Sequence, residues 1–542
     1  MTTQVYDFII IGSGFGGSIS ALRLTQKGYK VAVIEKGKKF SKNDYPKTNW
    51  QIKKFLWAPV LKCFGIQQIS LLKGVMVLHG AGYGGGSLVY ANTLMKPDDQ
   101  IFQSSDWPTS VNWKNELTPY YNLAKSALGV TKNKFESAAD LEIKKLGERL
   151  KVESTYHLTD VGVYFNSEQK EERDPYFGGH GPQRTPCNAC GSCMIGCPVG
   201  AKNTLDKNYL FFAEKWGADV YLETHIEKIM PQRAGHENYR YKLEGKISTK
   251  YWSSTKTFHA KNVIIAAGVL GTLDILFKNK FVHKTLQNIS NHLGKNVRTN
   301  GESLCGATSL SNKNADYSVG IAIGSAIHPD ASTKIEPVRY PSGSDLMKYL
   351  AVPLTNGTPW SRPFKLIYQI IRSLPQLIKV YFSNKWPEKT IILLIMQSID
   401  QKISLNLGRS FFFPFYRKLK ISSDEKIPSY LPIAQTATQI LAQQIDGLGQ
   451  NIISEVALDT PATAHILGGA ILADQQLNGV INIKHQVFGY EGLYVCDGSI
   501  IPSNLGVNPS LTISALAERF VDQFPKADHL SDSEYQLRKK II

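Results

Sequence analysis

The chain has 542 residues and a mass of 60.3 kDa, which is too long for a single small domain. A hydrophobic content of 42% and a charged content of 20% exclude a disordered or fibrous chain. The net charge of +17 indicates an anionic partner surface, either lipid headgroups or nucleic acid. No helix-turn-helix, zinc-finger or aromatic-basic RNA motif accompanies the charge, so nucleic acid is not expected.

The first predicted unit is a nucleotide-binding strand–helix–strand. "VYDFIII" predicts a strand, a glycine-rich turn and a helical pattern follow it, and "YKVAVIE" predicts a second strand that ends in Glu35. In this pattern Gly12 permits the tight turn, Gly14 lets the backbone approach a pyrophosphate, and Gly17 lets the helix pack on the strand. Glu35 can accept from ribose hydroxyls. The unit therefore predicts a dinucleotide site rather than a glycine-rich turn without a ligand.

A second glycine cluster follows at residues 77–97, "VLHGAGYGGGSLVYANTLMKP". Together with residues 106–130 and with "KNVIIAAGVLGTLDIL" at 261–276, which begins with a buried strand ending in Ala267-Gly268, it resembles the glucose–methanol–choline (GMC) family of flavin oxidoreductases. The resemblance covers nearly the whole chain and implies FAD as the cofactor. Besides the fingerprint residues, it implies that the FAD site includes Phe15, Gly82, Gly85, Gly86, Ser87, Asn92, Ile226, Ala267, Gly268, Asp497, Gly498 and Pro509.

The reaction centre that the family resemblance implies lies near the C-terminal end. His465 matches the catalytic histidine and Asn508 its partner asparagine. An alcohol must lose a proton from oxygen and a hydride from carbon, the hydride going to flavin N5, and histidine suits the first task because its pKa lies near neutrality. Ile466 and Ala470 depart from many relatives, but neither change removes a group that the mechanism needs.

The substrate is indicated by two further segments. The stretch "CNACGSCMIGCPVGAKNTLDKNYL" and residues 328–344 resemble a branch of bacterial cholesterol oxidase-like proteins, which implies a sterol or another lipid alcohol as substrate. Well-studied sterol oxidases add a glutamate that shuttles a proton during double-bond isomerisation. Glu336 is the nearest local candidate, but we expect it to form an ion pair with Arg339, and isomerase activity stays open.

Four cysteines lie in the same stretch, at Cys187, Cys190, Cys193 and Cys197. Their C-x2-C-x2-C-x3-C-P spacing is that of bacterial ferredoxins and permits an iron–sulfur cluster, although zinc or a loop of free thiols also fits. With a cluster the protein would pass electrons to another carrier. Without one, O2 would reoxidise the flavin.

A basic amphipathic segment indicates a membrane surface. Residues 334–420 hold 14 Lys and Arg against 4 Asp and Glu. Within them Lys365, Arg372 and Lys379 recur seven apart, which suits a helix lying on an anionic bilayer, and Pro375 should kink or divide that helix. A core-packed helix with a solvated basic edge is the alternative. With no signal-peptide pattern and only isolated cysteines elsewhere, we expect a cytoplasmic protein peripheral to the membrane.

The expected fold class is α/β, with a Rossmann-like FAD-binding domain and a substrate domain that has an antiparallel sheet and helices. The FAD-binding domain should gather residues 1–110, 195–300 and 460–542, with a connecting segment at 111–194 and the substrate domain at 301–459. Residues 389–400 predict a buried strand of the second sheet. A non-catalytic, membrane-associated flavoprotein or lipid-binding protein is the alternative of another class.

Overall fold

Two large sheets organise the chain in a computed structural model, which describes residues 4–232, 238–311, 316–409, 417–423 and 425–542. The first sheet has seven strands. In spatial order six of them are Asp219–Tyr221, Val31–Ile34, Val5–Ile11, Lys256–Ile265, Tyr241–Ile247 and Thr224–Pro231. The seventh, Leu493–Val495, pairs in parallel with the end of Lys256–Ile265.

The core of this sheet is parallel. Val5–Ile11 pairs in parallel with both Val31–Ile34 and Lys256–Ile265, and the paired stretches 8–11, 31–34 and 263–265 are apolar and buried. Strands covered on both faces need such a composition. The fingerprint strands are therefore confirmed, and the buried strand predicted to end in Ala267-Gly268 is confirmed with its end at Ile265.

Helices from both ends of the chain cover the parallel sheet. The helix Phe15–Gln26 packs against Ser510–Asp522 and Tyr209–Lys215. A buried ion pair joins the first two helices, with Arg23 Nε 2.7 Å from Glu518 Oε2. A buried ion pair is costly unless its remaining polar atoms are hydrogen-bonded. The Tyr209 hydroxyl provides such a bond, because it donates to Glu518 at 2.7 Å.

The second sheet has five antiparallel strands, in the order Thr333–Val338, Thr390–Gln397, Ser303–Ser309, Gly447–Ile452 and Ala351–Pro353. The predicted buried strand at 389–400 is thus confirmed at an inner position. The helix Pro432–Gln444 packs on two of the inner strands, and apolar residues of both elements form a second core cluster.

Short strands form the smaller sheets. Ala462–Thr463, Val75–Gly80 and Gln67–Leu72 make a sheet of three strands, and the two-stranded pairs are His157–Leu158 with Ser325–Ala326, Leu405–Arg409 with Arg417–Ile421, Trp57–Ala58 with Cys63–Phe64, and Thr131–Lys132 with Asp160–Val161. The remaining helices are Ile52–Phe55, Trp113–Ala127, Ala138–Arg149, Gly268–Phe281, Trp386–Lys389, Ile453–Ala457, Asp532–Ile541 and the two described next.

The basic amphipathic segment forms two consecutive helices, Arg362–Arg372 and Leu374–Tyr381. Pro375 lies in the first turn of the second helix, where its missing N–H is tolerated, so the predicted division is confirmed. We call these two helices the helix pair. Over the part of the chain that the structure describes, no helix has both the length and the apolar character to cross a bilayer.

Candidate functional site

The glycine-rich turn joins Val5–Ile11 to the helix Phe15–Gln26. Gly12 has a φ of +102°, and a Cβ there would overlap the carbonyl oxygen of Ala266. A Cβ on Gly17 would overlap the carbonyl oxygen of Gly12, which explains how closely the helix approaches the turn. At Gly14, in contrast, a Cβ would meet no described atom within 4 Å. The backbone of Gly14 therefore borders open space that a ligand can fill.

Glu35 lies directly behind this turn. Its buried carboxylate accepts from the Ser13 hydroxyl at 2.7 Å and from the amide of Gly37 at 2.8 Å. The backbone of Glu35 also accepts from the amide of Thr224 at 2.9 Å, and Ile226 lies two residues further along the strand Thr224–Pro231. Glu35 contacts the turn directly, and Ile226 lies near Glu35 through this hydrogen bond, an arrangement compatible with an adenosine site.

The second glycine cluster folds onto the first. A Cβ on Gly85 would come within 2.7 Å of the Cα of Gly14, and Gly86, like Gly14, borders open space. Gly82 has a φ of +135°, which only glycine adopts easily. The Ser87 hydroxyl donates to the carbonyl of Gly84 at 2.7 Å and so fixes the loop.

Asn92 and Phe15 complete this side of the site. Asn92 is fully buried in a left-handed conformation, and neither polar atom of its amide has a hydrogen-bond partner in the structure. A buried amide is costly to leave unpaired, so Asn92 indicates a polar ligand beside it. Phe15 packs edge-on against Tyr90, with ring centroids 5.8 Å apart.

The predicted residues from the C-terminal half reach the same region. Ala267 and Gly268 begin the helix Gly268–Phe281, and Pro509 directly precedes the helix Ser510–Asp522. Asp497 accepts from the Thr272 hydroxyl at 2.5 Å and from the amide of Ser499 at 2.8 Å, while burial raises its pKa.

These observations together test whether FAD suits the site. The open space at Gly14 and Gly86, the unpaired amide of Asn92 and the carboxylate of Glu35 fit a dinucleotide whose pyrophosphate lies against the backbone. The residues present therefore fit the cofactor.

The predicted reaction centre is built around His465 and Asn508. The amide nitrogen of Asn508 is 3.3 Å from Nε2 of His465, and the amide oxygen of Asn508 is buried without a partner among the residues that the structure describes. The two predicted residues are thus neighbours. An unsatisfied oxygen and an imidazole nitrogen at one point indicate the position of a reacting hydroxyl group.

Glu302, which the sequence analysis did not identify, holds the other side of the imidazole. It precedes the strand Ser303–Ser309; one carboxylate oxygen contacts His465 Nδ1, and the other accepts from the amide of Ala464 at 2.9 Å. This contact favours the tautomer of His465 that carries its proton on Nδ1. Nε2 then carries no proton and can accept one. No local motif marks Glu302; only the contact across 163 residues reveals it.

Two opposing effects set the pKa of His465. Burial disfavours the charged imidazole, but the adjacent Glu302 carboxylate outweighs burial, so the pKa is raised above its usual value. Nearby, burial raises the pKa of Glu455 to about 8, so Glu455 is mostly uncharged at neutral pH. Glu302 is the acidic residue whose side chain contacts His465 directly.

The expected ion pair between Glu336 and Arg339 is wrong. Glu336 is fully buried with Lys334 Nζ 3.1 Å from its carboxylate, whereas Arg339 pairs with Asp140 at 3.4 Å. Glu336 and Arg339 are three apart in an extended region, where side chains at odd separations point to opposite faces. The charge of Glu336 also raises the pKa of His465, which places it near the reaction centre.

The four clustered cysteines line one small cavity with Lys202, and all four are free thiols. Among the residues that the structure covers, no three His, Cys, Asp or Glu side chains are arranged to hold a metal ion. The amides of Ala189 and Gly200 point at the sulfurs of Cys187 and Cys197, at 3.4 and 3.3 Å. The Lys202 ammonium lies over the Tyr90 ring and so connects this cavity to Phe15.

Comparison with known proteins decides the family. The GMC oxidoreductase N- and C-terminal models match residues 181–299 and 424–517, and an FAD-binding domain model matches residues 7–44. A cholesterol oxidase of Acinetobacter baumannii is 41% identical over 98% of this chain and 96% of its own length. The chain belongs to the GMC oxidoreductase family. It is an FAD-dependent oxidoreductase that acts on CH–OH groups, as the resemblance implied.

Other relatives of this GMC oxidoreductase extend the comparison. A cholesterol oxidase of Mycobacterium tuberculosis (strain ATCC 25618 / H37Rv) is 42% identical over 96% of the chain and 91% of its own length. Among solved structures, pyridoxine 4-oxidase from Mesorbium loti matches with a TM-score of 0.58 at 13% identity, covering 97% of this chain and 100% of that one. A fungal aryl-alcohol oxidase matches with a TM-score of 0.56 at 14% identity, covering 96% and 98%. At such low identity these two structures show the fold alone, and they confirm the expected α/β fold class.

Proposed function

We propose that this protein oxidises the hydroxyl-bearing carbon of a sterol or similar lipid alcohol to a ketone or an aldehyde. The observation that carries the proposal is the buried arrangement of Glu302, His465 and Asn508 beside the glycine cradle. The identity of 41% to a cholesterol oxidase over almost the full chain supports a sterol as the substrate.

In this proposal the three side chains divide the proton chemistry. Nε2 of His465 removes the proton from the substrate hydroxyl, and the amide of Asn508 holds the same oxygen without titrating. Glu302 accepts a hydrogen bond from Nδ1 of His465, so this proton stays on the imidazole. The carboxylate also stabilises the positive charge that forms on the imidazole. FAD, when bound, supplies the acceptor for the two electrons that leave the carbon with its hydrogen.

Anaerobic flavin reduction tests this function directly. The purified holoenzyme is mixed without oxygen with detergent-dispersed cholesterol, a long-chain primary alcohol or a short-chain alcohol, and the loss of the yellow flavin absorption is followed. We expect the sterol to reduce the flavin fastest. Reduction only by the short-chain alcohol would contradict the lipid substrate. No reduction by any alcohol would favour the non-catalytic flavoprotein.

We further propose that O2 takes the electrons from reduced flavin and leaves as hydrogen peroxide. The relatives that are 41% and 42% identical are oxidases, which supports oxygen as the acceptor. The alternative acceptor is an iron–sulfur cluster held by the four clustered cysteines. The observation in favour of the alternative is that backbone amides point at two of the sulfurs and that the buried Lys202 lies beside them, although burial raises the pKa of Cys187 and Cys193 and lowers the pKa of Lys202 to about 7.

The spectrum of anaerobically purified protein distinguishes the two acceptors. We expect flavin bands alone, no stoichiometric iron, and one peroxide formed per alcohol oxidised in air. Stoichiometric iron and sulfide that disappear in Cys193→Ser and Cys197→Ser would overturn the oxygen proposal. Cys305→Ser is the matched control, because Cys305 is also buried and free but lies in the five-stranded sheet.

A further inference from the structure

The helix pair presents its apolar side chains outward. An amphipathic helix on a globular protein normally turns its apolar stripe toward the core. Here only Leu366, Leu377 and Val380 among the apolar side chains are buried. Eight large apolar side chains of the helix pair and its flanks are at least half exposed, at Trp360, Phe364, Ile367, Tyr368, Ile371, Leu374, Ile378 and Phe382. We call these eight residues the apolar stripe.

The apolar stripe is continuous and strongly exposed. Its members recur three or four residues apart, so they follow one side of both helices. Trp360, Phe364, Ile371 and Phe382 are exposed by 88%, 76%, 69% and 84%. Isolated exposed apolar residues are ordinary, but a stripe of this size marks a surface that meets another apolar phase.

The basic residues flank this stripe. Lys365, Arg372, Lys379 and Lys385 are exposed, and residues 360–385 contain no Asp or Glu. An aromatic extension continues from the second helix, where Tyr381 stacks on Tyr349 at 6.0 Å and Tyr349 meets Trp50 at 6.1 Å. Basic side chains beside aliphatic residues with aromatic residues at the margin form the composition of an interfacial membrane helix.

The helix pair is rigidly fixed to the protein. The fully buried Arg362 donates to the carbonyls of Thr355, Ser429 and Glu455. Glu455 in turn accepts from the Ser303 hydroxyl at 2.9 Å, and Ser303 follows Glu302 in the chain. The helix pair is therefore anchored through Arg362 and Glu455 to the five-stranded sheet and is not a loosely attached tail.

We propose that the helix pair docks this protein on an anionic lipid bilayer by inserting the apolar stripe between the headgroups. The positive charge beside the apolar stripe indicates an anionic bilayer rather than a second copy of the protein as the binding partner. A second copy would bring its own exposed basic residues, without acidic residues to meet them, against the same surface, whereas anionic headgroups match both the charge and the apolar stripe. The proposal concerns this surface and does not depend on which alcohol is oxidised.

Cosedimentation of the FAD-loaded protein with vesicles tests the proposal. Vesicles contain phosphatidylglycerol mixed with phosphatidylcholine, or phosphatidylcholine alone. We expect binding to the anionic vesicles to fall roughly 100-fold when Lys365→Gln, Arg372→Gln and Lys379→Gln are combined. We expect the combination Phe364→Ser, Ile371→Ser and Ile378→Ser to abolish binding at low and high salt, because it removes the inserted groups.

Matched controls separate the surface from general effects. Lys132→Gln, Lys250→Gln and Lys484→Gln remove the same charge elsewhere, and Leu141→Ser, Leu477→Ser and Leu537→Ser remove exposed apolar residues elsewhere. Both sets should bind vesicles like the parent. All variants should retain FAD and turn over detergent-dispersed alcohol, which shows that the fold is intact.

Fluorescence reports insertion independently. Vesicle binding should shift tryptophan emission to the blue, brominated lipids should quench it, and Trp360→Phe should lose most of both effects. The proposal would be overturned if the triple charge variant and the triple apolar variant both bound vesicles like the parent. Sedimentation velocity gives a second way to overturn the proposal. If the parent is a dimer and the triple apolar variant is a monomer, then a second copy covers the apolar stripe.

Discussion

The parallel sheet and the antiparallel sheet contribute to one site by different means. The parallel side supplies bare backbone, because Gly14 and Gly86 leave open space where a side chain would stand. The antiparallel side supplies buried acids, with Glu302 on the imidazole of His465 and Glu336 paired with Lys334. Binding of a dinucleotide thus depends on glycines, which have no side chain to fill the space beside the backbone. Proton transfer depends on charges that the interior holds in place.

The largest expected effect tests the backbone side. Gly14→Val should fold but lose FAD and all activity, because the new side chain meets no described protein atom and fills the space for the pyrophosphate. Flavin absorbance per protein measures the loss. Gly17→Val is the contrasting variant, since its side chain overlaps the Gly12 carbonyl and should prevent folding itself. Stoichiometric FAD in Gly14→Val would show that the cradle lies elsewhere.

The next effect tests the proton-transfer side. His465→Ala should retain FAD and lower the rate of anaerobic flavin reduction by roughly two to four orders of magnitude, the usual contribution of a general base. Stopped-flow flavin reduction measures the rate without interference from reoxidation. A variant that reduces flavin at the parental rate would remove His465 from the mechanism.

Glu302→Gln should have a smaller effect with a distinctive pH dependence. Burial lowers and Glu302 raises the pKa of His465, so losing the carboxylate lets the pKa fall. The base must be neutral to accept a proton. The rate of flavin reduction increases with pH as His465 loses its proton. In the variant, this increase should therefore occur at a lower pH than in the parent.

The pH-independent rate of Glu302→Gln should also drop, by roughly 10- to 100-fold, because the imidazole loses its orientation and its countercharge. Glu302→Asp should restore part of both properties. A lower rate with an unchanged pH profile would mean that Glu302 supports only the fold.

The smallest effect on rate is expected at Glu336. Glu336→Gln leaves Lys334 buried without a charged partner, which should destabilise the protein by about 3–5 kcal/mol while the pH-independent rate of flavin reduction changes little. Thermal unfolding of the holoenzyme measures the loss. The double variant Lys334→Met with Glu336→Leu should regain most of the stability, because both charges are then absent. Equal instability of the single and double variants would contradict the pairing.

The same contrast explains what the sequence could predict. The turn at Gly12 to Gly17 and the acid at Glu35 form one local motif, so their spacing alone identifies the site. Glu302 lies 163 residues from His465, and no periodicity connects them. The ion pair expected at Arg339 failed for a related reason, since closeness in sequence does not give closeness in a strand.

The helix pair was predicted only in part. Its charge and the break at Pro375 are evident from the sequence. Amphipathic periodicity gives two faces but does not say which one meets the protein, because that depends on neighbours such as Val352 and Val456, which pack with Leu366. The outward direction of the apolar stripe therefore required the fold. The proposed domain boundaries and the fate of the four thiols stay predictions.

The ion pair of Arg23 with Glu518 has a consequence for how the chain is made. It spans 495 residues and joins the first helix to one of the last. Contacts so distant in sequence form slowly, and during synthesis the N-terminal partner must wait for the other to emerge from the ribosome. The helix Phe15–Gln26 of the nascent chain thus lacks this packing partner until residues 510–522 have been synthesised, and we expect chaperones to hold it and FAD to enter after that point.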